Sequence, residues 1–208
     1  PVESDAFWAD DPREAASSPS PTMQARLRTS IEWVAVAIGA LLVALLIKAF
    51  LLQAFYIPSG SMEPTLHTDD RVLVNKLSYK LGDVERGDII VFEKPEGAGG
   101  DIDDFIKRVI GLPGETVSFS EGSVFIDGLE LEEQYVDGAR TTSNSVINGC
   151  ANTPAVADTC VVPDDTVFVM GDNRVSSQDS RVFGPIDQDT IVGRAFLKLW
   201  PLGDLGFL

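Results

Sequence analysis

The chain has few of the side chains that bind transition metals or nucleic acids. Its 208 residues include one histidine, His67, and two cysteines, Cys150 and Cys160. This set is too small for a zinc or iron–sulfur site built from cysteine thiolates, and His67 does not help complete one. The formal charge of −16 opposes nucleic-acid binding, which needs basic patches. The sequence therefore predicts no nucleic-acid partner.

The two cysteines lie in a long polar segment at about residues 136–163. If this segment faces an oxidising compartment, Cys150 and Cys160 can form a disulfide. Closing so short a loop stabilises a fold by roughly 2.5–3 kcal/mol in the chain-entropy treatment. Two unpaired thiols are the alternative. We interpret the segment as a surface insertion held at Cys150–Cys160.

Residues 31–52 are almost all apolar, and residues 33–47 carry no charge. A helix of this length spans about 30 Å, the thickness of the bilayer hydrocarbon, so we predict a transmembrane helix over residues 30–52. A buried core helix would show a polar stripe. A cleavable signal peptide would be shorter and followed by a small-x-small site. The preceding residues 1–29, rich in Pro, Ser, Ala and acids, predict a disordered tail.

Basic residues flank this apolar segment unevenly. Arg26 and Arg28 precede it, whereas Lys48 is the only base near its far end. The positive-inside rule then places the N-terminus in the cytoplasm and residues 53–208 outside. We expect a single-pass protein of the cell membrane, in contact with lipid.

The rest of the chain is typical of short strands. Segments rich in Val, Ile and Phe are separated by Gly, Pro and Asp, and no helical period of useful length appears. The sequence predicts a mainly β, antiparallel domain over residues 53–208, with strands in RVLVNKL, DIIVFEK, DFIKRVIGL, TVSFS, SVFIDG, DTVFVMGD and TIVGRAFLKLW.

Three segments carry candidate chemistry. Residues 57–66, IPSGSMEPTL, place two serines between Pro and Gly; a Ser-x-Ser in a loop is more often a turn or a helix cap. Ser61 follows the apolar segment by about ten residues, at most about 33 Å of extended chain, so a site there would lie near the membrane surface. Residues 171–181, GDNRVSSQDSR, could equally be a salt-bridged polar loop.

The remaining segment is FIKRVIGLPGE, residues 105–115, in which strand alternation gives Lys107 an apolar setting. Phe105, Lys107 and Val109 share one face of the predicted strand. A lysine buried among apolar groups has a lowered pKa and can accept a proton near neutral pH. An edge-strand lysine with its amine in water is the alternative. A Ser-His-Asp triad would have to use His67, which lies in a polar turn.

In this order after one apolar span, four segments resemble the type I signal peptidase family, in its single-span Gram-positive and actinobacterial branch. They are PSGSMEPTL, RVLVNKLSY, DFIKRVIGLPGE and GDNRVSSQDSRVFGPI. The resemblance runs from about residue 50 to residue 199 and is weakest across the cysteine segment. It implies a β-sheet catalytic domain of signal-peptidase type that needs no metal or cofactor.

The resemblance also implies roles for individual residues. Ser61 would be the nucleophile, Lys107 the general base, Ser59 the oxyanion-hole hydroxyl and Ser177 the residue that orients the lysine. Arg108 with Asp172, and Asp179 with Arg181, would form structural ion pairs. An apolar pocket admitting small residues would be lined by Ile57, Met62, Leu66 and Ile106.

The implied activity is that of a membrane-bound serine endopeptidase. It would remove signal peptides from exported preproteins by cutting after a small residue. One alternative is a Ser–Lys peptidase that cuts itself or a regulatory partner, but such repressors carry a DNA-binding domain where this chain has an apolar span. The other is a catalytically silent, membrane-anchored β module that binds partners.

Overall fold

A computed structural model gives the fold. The chain forms two compact units, Pro1–Leu45 and Leu46–Leu208. The first 22 residues, most of the predicted disordered tail, lie outside the described part. The structure describes residues 23–96, 98–99, 102–138, 140–143, 146–151 and 156–208.

The first element is the long helix α1, Met23–Phe50. It begins at Met23 rather than at residue 30, so the end of the expected tail is helical. It stops before residue 52 because the chain there turns into a strand. Its stretch Arg28–Leu45 has a mean hydropathy of 1.6, and none of that stretch is buried. In length and composition α1 therefore fits a membrane span rather than a core helix.

The larger of two sheets is antiparallel and has eight strands. Seven follow the order β1–β2–β11–β3–β4–β9–β10, and β12 pairs with β11. Its strands are β1 Leu52–Tyr56, β2 Arg71–Asn75, β3 Ile89–Glu93, β4 Asp104–Gly111, β9 Thr166–Met170, β10 Ile186–Asp187, β11 Ile191–Trp200 and β12 Gly206–Phe207. The short helices α2 Ser78–Leu81 and α3 Ser180–Phe183 lie between strands.

The smaller sheet is also antiparallel and has the order β7–β6–β5–β8. Every segment predicted as a strand forms one, because each supplies β-branched or aromatic residues that pack on a pleated surface. In the larger sheet the sequence analysis missed β1, which pairs with β2 from Leu52↔Asn75 to Tyr56↔Arg71, and the two-residue strands β10 and β12. The strands of the smaller sheet are β5 Thr116–Ser120, β6 Ser123–Ile126, β7 Leu129–Glu130 and β8 Thr159–Val161.

The cysteine segment forms the predicted disulfide, Cys150–Cys160. The segment is not only a surface insertion, however. Its strand β8 pairs with β5, and Ile147, Cys160 and Val162 are buried in the core. The alternation of the strand turns Cys160 inward, so the disulfide ties the segment to the domain interior. Residues 139, 144–145 and 152–155 of this segment lie outside the described part.

Three apolar clusters form the described core. One lies between the two sheets and includes Ile110, Val117, Phe168 and Cys160. A second, around Phe92 and Val109, packs against Phe105 and Phe183. The third fills the space beside the turn that carries Ser61, and its buried members are Ile57, Met62, Leu66, Val72, Val74, Ile89, Val91, Ile106 and Ala195.

Candidate active site

Ser61 lies in a 3-10 turn, Gly60–Met62, between β1 and β2. We call residues 57–70 the nucleophile loop. The ends of this loop are joined because the Ile57 N–H donates to the Asp70 carbonyl at 2.9 Å. Its tip is held by Asn173, whose backbone N–H donates to the Ser61 carbonyl at 3.1 Å and whose side chain donates to the Gly60 carbonyl at 3.0 Å. Asn173 thus holds the carbonyl groups of both Gly60 and Ser61.

The strand β4 brings Lys107 directly to this serine. Lys107 Nζ donates to Ser61 Oγ at 2.8 Å and to the Ile106 carbonyl at 2.9 Å. Lys107 is 4% exposed and Ser61 8% exposed, so both residues are largely shielded from water. The side chain also runs past an aromatic ring, with Nζ 5.5 Å from the Phe105 centroid. The apolar neighbour expected from strand alternation is present.

Burial sets the protonation of this amine. Loss of hydration lowers the pKa of Lys107 from 10.5 to about 8, against the opposing charges of Asp179 and Asp172. About a tenth of the amine is then neutral at pH 7, and about half at pH 8. A neutral amine within hydrogen-bond distance of a hydroxyl can accept its proton, so the pair has the geometry of a nucleophile and its general base.

Ser59 lies beside this pair. Its hydroxyl is 3.5 Å from Ser61 Oγ, at the outer limit of a hydrogen bond, and its side chain is exposed. A rotatable hydroxyl at this position can turn toward an oxygen bound next to the nucleophile. Its place is consistent with the oxyanion role that the resemblance implies.

Two ion pairs flank the site. Arg108 donates to Asp172 through Nε at 2.9 Å and through Nη2 at 2.6 Å. Arg181 donates to Asp179 through Nε and Nη2, both at 2.8 Å. Both carboxylates are buried, and a buried carboxylate needs such a partner. The four residues thus occupy the pairs that the resemblance implies.

Ser177 departs from its expected contact. Among the described residues its buried hydroxyl has no hydrogen-bond partner, so the bond to Lys107 is not formed. The second bond of Lys107 goes instead to the Ile106 carbonyl. Ser177 does lie close to the site, because a Cβ added to Gly171 would be 2.3 Å from its Oγ and 2.4 Å from the Ser61 carbonyl oxygen.

A cavity of about 190 Å³ opens beside Ser61 and Lys107. Of the four side chains expected to line an apolar pocket, Ile106 borders this cavity. Ile57, Met62 and Leu66 do not, because they are 0–1% exposed and pack beneath the nucleophile loop as core residues. The sequence analysis missed the other lining residues; they are Pro58, Gly99, Ile102, Asp104, Phe105, Ser176 and Gln178.

The family described as "Signal peptidase, peptidase S26" matches residues 30–200. A probable signal peptidase I-2 from Synechocystis sp. is 40% identical over 82% of this chain and 73% of that protein. A signal peptidase I from Leptolyngbya laminosa is 37% identical over 99% of this chain and 96% of that protein.

A solved structure of a signal peptidase I from Enterococcus faecalis is 32% identical, with a TM-score of 0.43, over 54% of this chain and 97% of that chain. The family match covers the nucleophile loop, β4 and the loop after β9. With its mainly antiparallel β architecture and the relatives' identity over most of its length, the chain belongs to the S26 family of serine peptidases, the signal peptidases I.

Proposed function

We propose that this signal peptidase cleaves preproteins with a Ser–Lys dyad, Ser61 as nucleophile and Lys107 as general base. The observation that carries the proposal is the 2.8 Å contact between Lys107 Nζ and Ser61 Oγ, made by an amine that is 4% exposed. An amine in contact with water would stay protonated at neutral pH and could not take the proton.

The reaction proceeds in two steps. Neutral Lys107 takes the Ser61 proton as Oγ bonds to the scissile carbonyl carbon. The resulting ammonium returns that proton to the leaving amine as the C–N bond breaks, which leaves an ester on Ser61. Lys107 then takes a proton from water, whose oxygen attacks the ester. Ser61 recovers its proton when the signal peptide leaves as a carboxylate.

Two donors would stabilise the negative oxygen of each tetrahedral intermediate. They are the Ser59 hydroxyl and the backbone N–H of Ser61. Such donors strengthen their hydrogen bonds as charge develops on the oxygen, and losing one typically costs about 10²–10³ in kcat. The Asn173 bonds to Ser61 and Gly60 hold the nucleophile loop in the shape that aims these donors.

The substrate would bind along the edge of β4. Pairing of β4 with β9 begins at Arg108, whereas its pairing with β3 already begins at Asp104. Between Asp104 and Lys107 the β9 side of β4 is open among the described strands. An extended peptide can add to such an edge through backbone hydrogen bonds. The small cavity would then select small side chains, such as Ala at positions one and three before the cut.

The helix α1 would anchor the enzyme in the membrane. Its stretch Arg28–Leu45 is long and apolar enough to cross a bilayer, and Ser61 follows the helix by about ten residues, at most about 33 Å of chain. We infer a cytoplasmic N-terminus and an extracytoplasmic peptidase domain, since a disulfide such as Cys150–Cys160 persists in oxidising compartments. The site would then meet signal peptides that are themselves held in the membrane.

The test uses the full chain in detergent or liposomes and a preprotein peptide whose cleavage site is Ala-x-Ala. We expect one cut, after the second Ala, and at least a hundredfold slower cleavage when that Ala is replaced by Leu. Equal cleavage of both peptides would contradict the small-residue specificity. Cleavage of the enzyme's own chain alone would instead favour a self-cleaving peptidase. Failure of Ser61 to react with an acylating probe would favour a silent binding module.

A further inference from the structure

The segment after β7 contacts two arginines beside the candidate site through one aromatic ring, that of Tyr135. We call residues 131–138 the brace segment. The guanidinium carbon of Arg108 is 4.0 Å from the ring centroid of Tyr135, and that of Arg174 is 5.9 Å from it. Stacked contacts of this kind restrict the planar guanidinium as well as attract it.

The Tyr135 hydroxyl also forms a hydrogen bond with a carboxylate. It donates to Glu133 Oε1 at 2.8 Å, and Glu133 forms an ion pair with Arg174. Arg174 also donates to the Thr141 hydroxyl at 2.7 Å and to the Gly171 carbonyl at 3.0 Å. Because Arg174 is 2% exposed, its charge depends on Glu133 for compensation.

Both arginines bind the chain beside the nucleophile. Arg174 holds the Gly171 carbonyl, and Gly171 lies so close to Ser61 that an added Cβ would be 2.4 Å from the Ser61 carbonyl oxygen. Arg108 holds both oxygens of Asp172. The Thr65 hydroxyl of the nucleophile loop donates to the same carboxylate at 2.6 Å. Asp172 thus connects the brace segment, through Arg108, with the loop that carries Ser61.

We propose that Tyr135 and Glu133 are positioning residues of the peptidase, which hold Arg108 and Arg174, and through them Asp172 and Gly171, beside the Ser61–Lys107 pair. The proposal rests on the proposed function, since it assigns these residues to the support of that dyad. They touch neither reacting group. They fix the place and the charge balance of Asp172, one of the two carboxylates that act on the lysine.

The charges that act on the Lys107 pKa come from the loop after β9. They are Asp179, which has the larger effect, and Asp172, and both favour the ammonium against the desolvation that lowers the pKa. The groups that face Lys107 from the nucleophile loop and from β3 are Ser61 and Ile90, which carry no charge. A change in how Arg108 or Arg174 compensates Asp172 therefore moves the Lys107 pKa in a known direction.

The experiment compares Tyr135→Leu with its matched control Tyr135→Phe in the full chain. The leucine variant removes the ring contact that restrains Arg108, which leaves the negative charge of Asp172 less compensated. We expect kcat to fall about fivefold to tenfold. The acid limb of the pH profile, the range over which kcat rises as Lys107 loses its proton, should move to higher pH. The phenylalanine variant keeps the ring contact with Arg108 but loses the hydrogen bond to Glu133, so its fall in kcat and its shift of the limb should be smaller than those of the leucine variant. KM for the Ala-x-Ala preprotein peptide stays near the wild-type value in both.

A second variant, Glu133→Gln, shifts the limb the other way. Removing this negative charge leaves Arg174 uncompensated beside Asp172, and the added positive field lowers the Lys107 pKa. The acid limb therefore moves to lower pH, a sign that damaged folding alone would not give. If Tyr135→Leu fails to fold, Tyr135→Met, which fills the same space flexibly, replaces it.

Folded Tyr135→Leu or Tyr135→Met and Glu133→Gln enzymes that keep the wild-type limb and kcat would overturn the proposal. So would an equal shift in Tyr135→Phe, because the hydroxyl rather than the ring would then be responsible. A wild-type enzyme without a limb near pH 8 would instead contradict the dyad itself. The two failures are thus distinguishable in one set of profiles.

Discussion

The two sheets of the peptidase domain bury different kinds of side chain. The larger sheet buries Lys107 and Arg108 on β4 and Lys198 on β11, and the loop after β9 buries Asp172 and Asp179. On β5, β6 and β8 of the smaller sheet, every buried residue is apolar or the disulfide cysteine Cys160. The larger sheet and the loop after β9 thus bury charged side chains, including those beside the candidate site, whereas the smaller sheet contributes apolar packing.

This difference has an energetic meaning. A buried charge destabilises a fold unless partners compensate it, and Arg108–Asp172 and Arg181–Asp179 supply that compensation. Lys107 has hydrogen bonds to Ser61 and Ile106 instead, and its pKa falls. Burial of this amine in the larger sheet should therefore lower the stability of the fold, and it also makes the amine easier to deprotonate. The smaller sheet holds the core together with apolar contacts and a disulfide.

The largest effect should come from the dyad. We expect Ser61→Ala and Lys107→Met each to lower kcat/KM by at least about 10³, because one removes the proposed nucleophile and the other its proposed base. Both variants should fold. Cleavage of the Ala-x-Ala peptide measures the effect, and the exposed pair Ser120→Ala and Lys80→Met serves as matched control. Activity retained in Lys107→Met would exclude the lysine as base.

Gly171→Ala tests how closely the larger sheet is fitted to the nucleophile. The added Cβ would be 2.4 Å from the Ser61 carbonyl oxygen, so the nucleophile loop must shift. A displacement of about 1 Å can cost about 10² in rate, and we expect a fall in kcat of that order with reduced thermal stability. Gly203→Ala, with open space around the position, should change neither quantity. An active Gly171→Ala enzyme would show that the site tolerates movement.

Lys107→Met also tests whether the buried amine costs stability. Its pKa falls from 10.5 to about 8, so the native state disfavours the ammonium that the unfolded state carries. The cost is fully present below pH 8 and disappears as the pH rises from 8 to 10.5. The variant also loses the two lysine hydrogen bonds, which offsets part of the gain. We expect it to be about 1–3 kcal/mol more stable than the wild type at pH 7. Denaturant unfolding at pH 7 and 10 should show this advantage shrinking; a less stable variant at pH 7 would refute the cost.

The disulfide should affect stability and leave the chemistry almost unchanged. The double variant Cys150→Ala, Cys160→Ala removes a cross-link with a sequence separation of 10, which should lower the free energy of unfolding by roughly 2.5–3 kcal/mol. Because the smaller sheet carries none of the dyad, kcat should stay within about twofold at temperatures where the variant is folded. A large loss of kcat in the folded variant would show that the two sheets are not separate in role.

Local patterns in the sequence were enough to predict most of the larger sheet, whereas the pairing of Ser61 with Lys107 came from the resemblance to the signal peptidase family. Alternating apolar residues predicted the strands. The alternation around Lys107 placed it between apolar side chains but left an edge-strand lysine in water as the alternative. The strand β1 was missed because LLQAFY continues an apolar run, and its pairing with β2 depends on residues further along the chain. Local periodicity cannot distinguish such a strand from the end of a helix.

The surroundings of the dyad were harder to predict. Ile57, Met62 and Leu66 are apolar enough for a pocket, but they fill the core, a choice made by packing rather than by composition. The Glu133–Arg174 contact joins residues 41 positions apart, in a segment without periodicity. Ser177 came from resemblance alone, and its expected bond to Lys107 is replaced by the Ile106 carbonyl.

The protonation of Lys107 is the most direct test, because a buried amine beside Ser61 is useful only when it can be neutral. The full chain, labelled with ¹³C at the lysine Cε, would be titrated by NMR, and the Lys107 signal assigned by its absence in Lys107→Met. We predict a pKa of about 8, as burial requires, with kcat/KM rising through the same value. A Lys107 pKa at or above 10 would contradict the dyad.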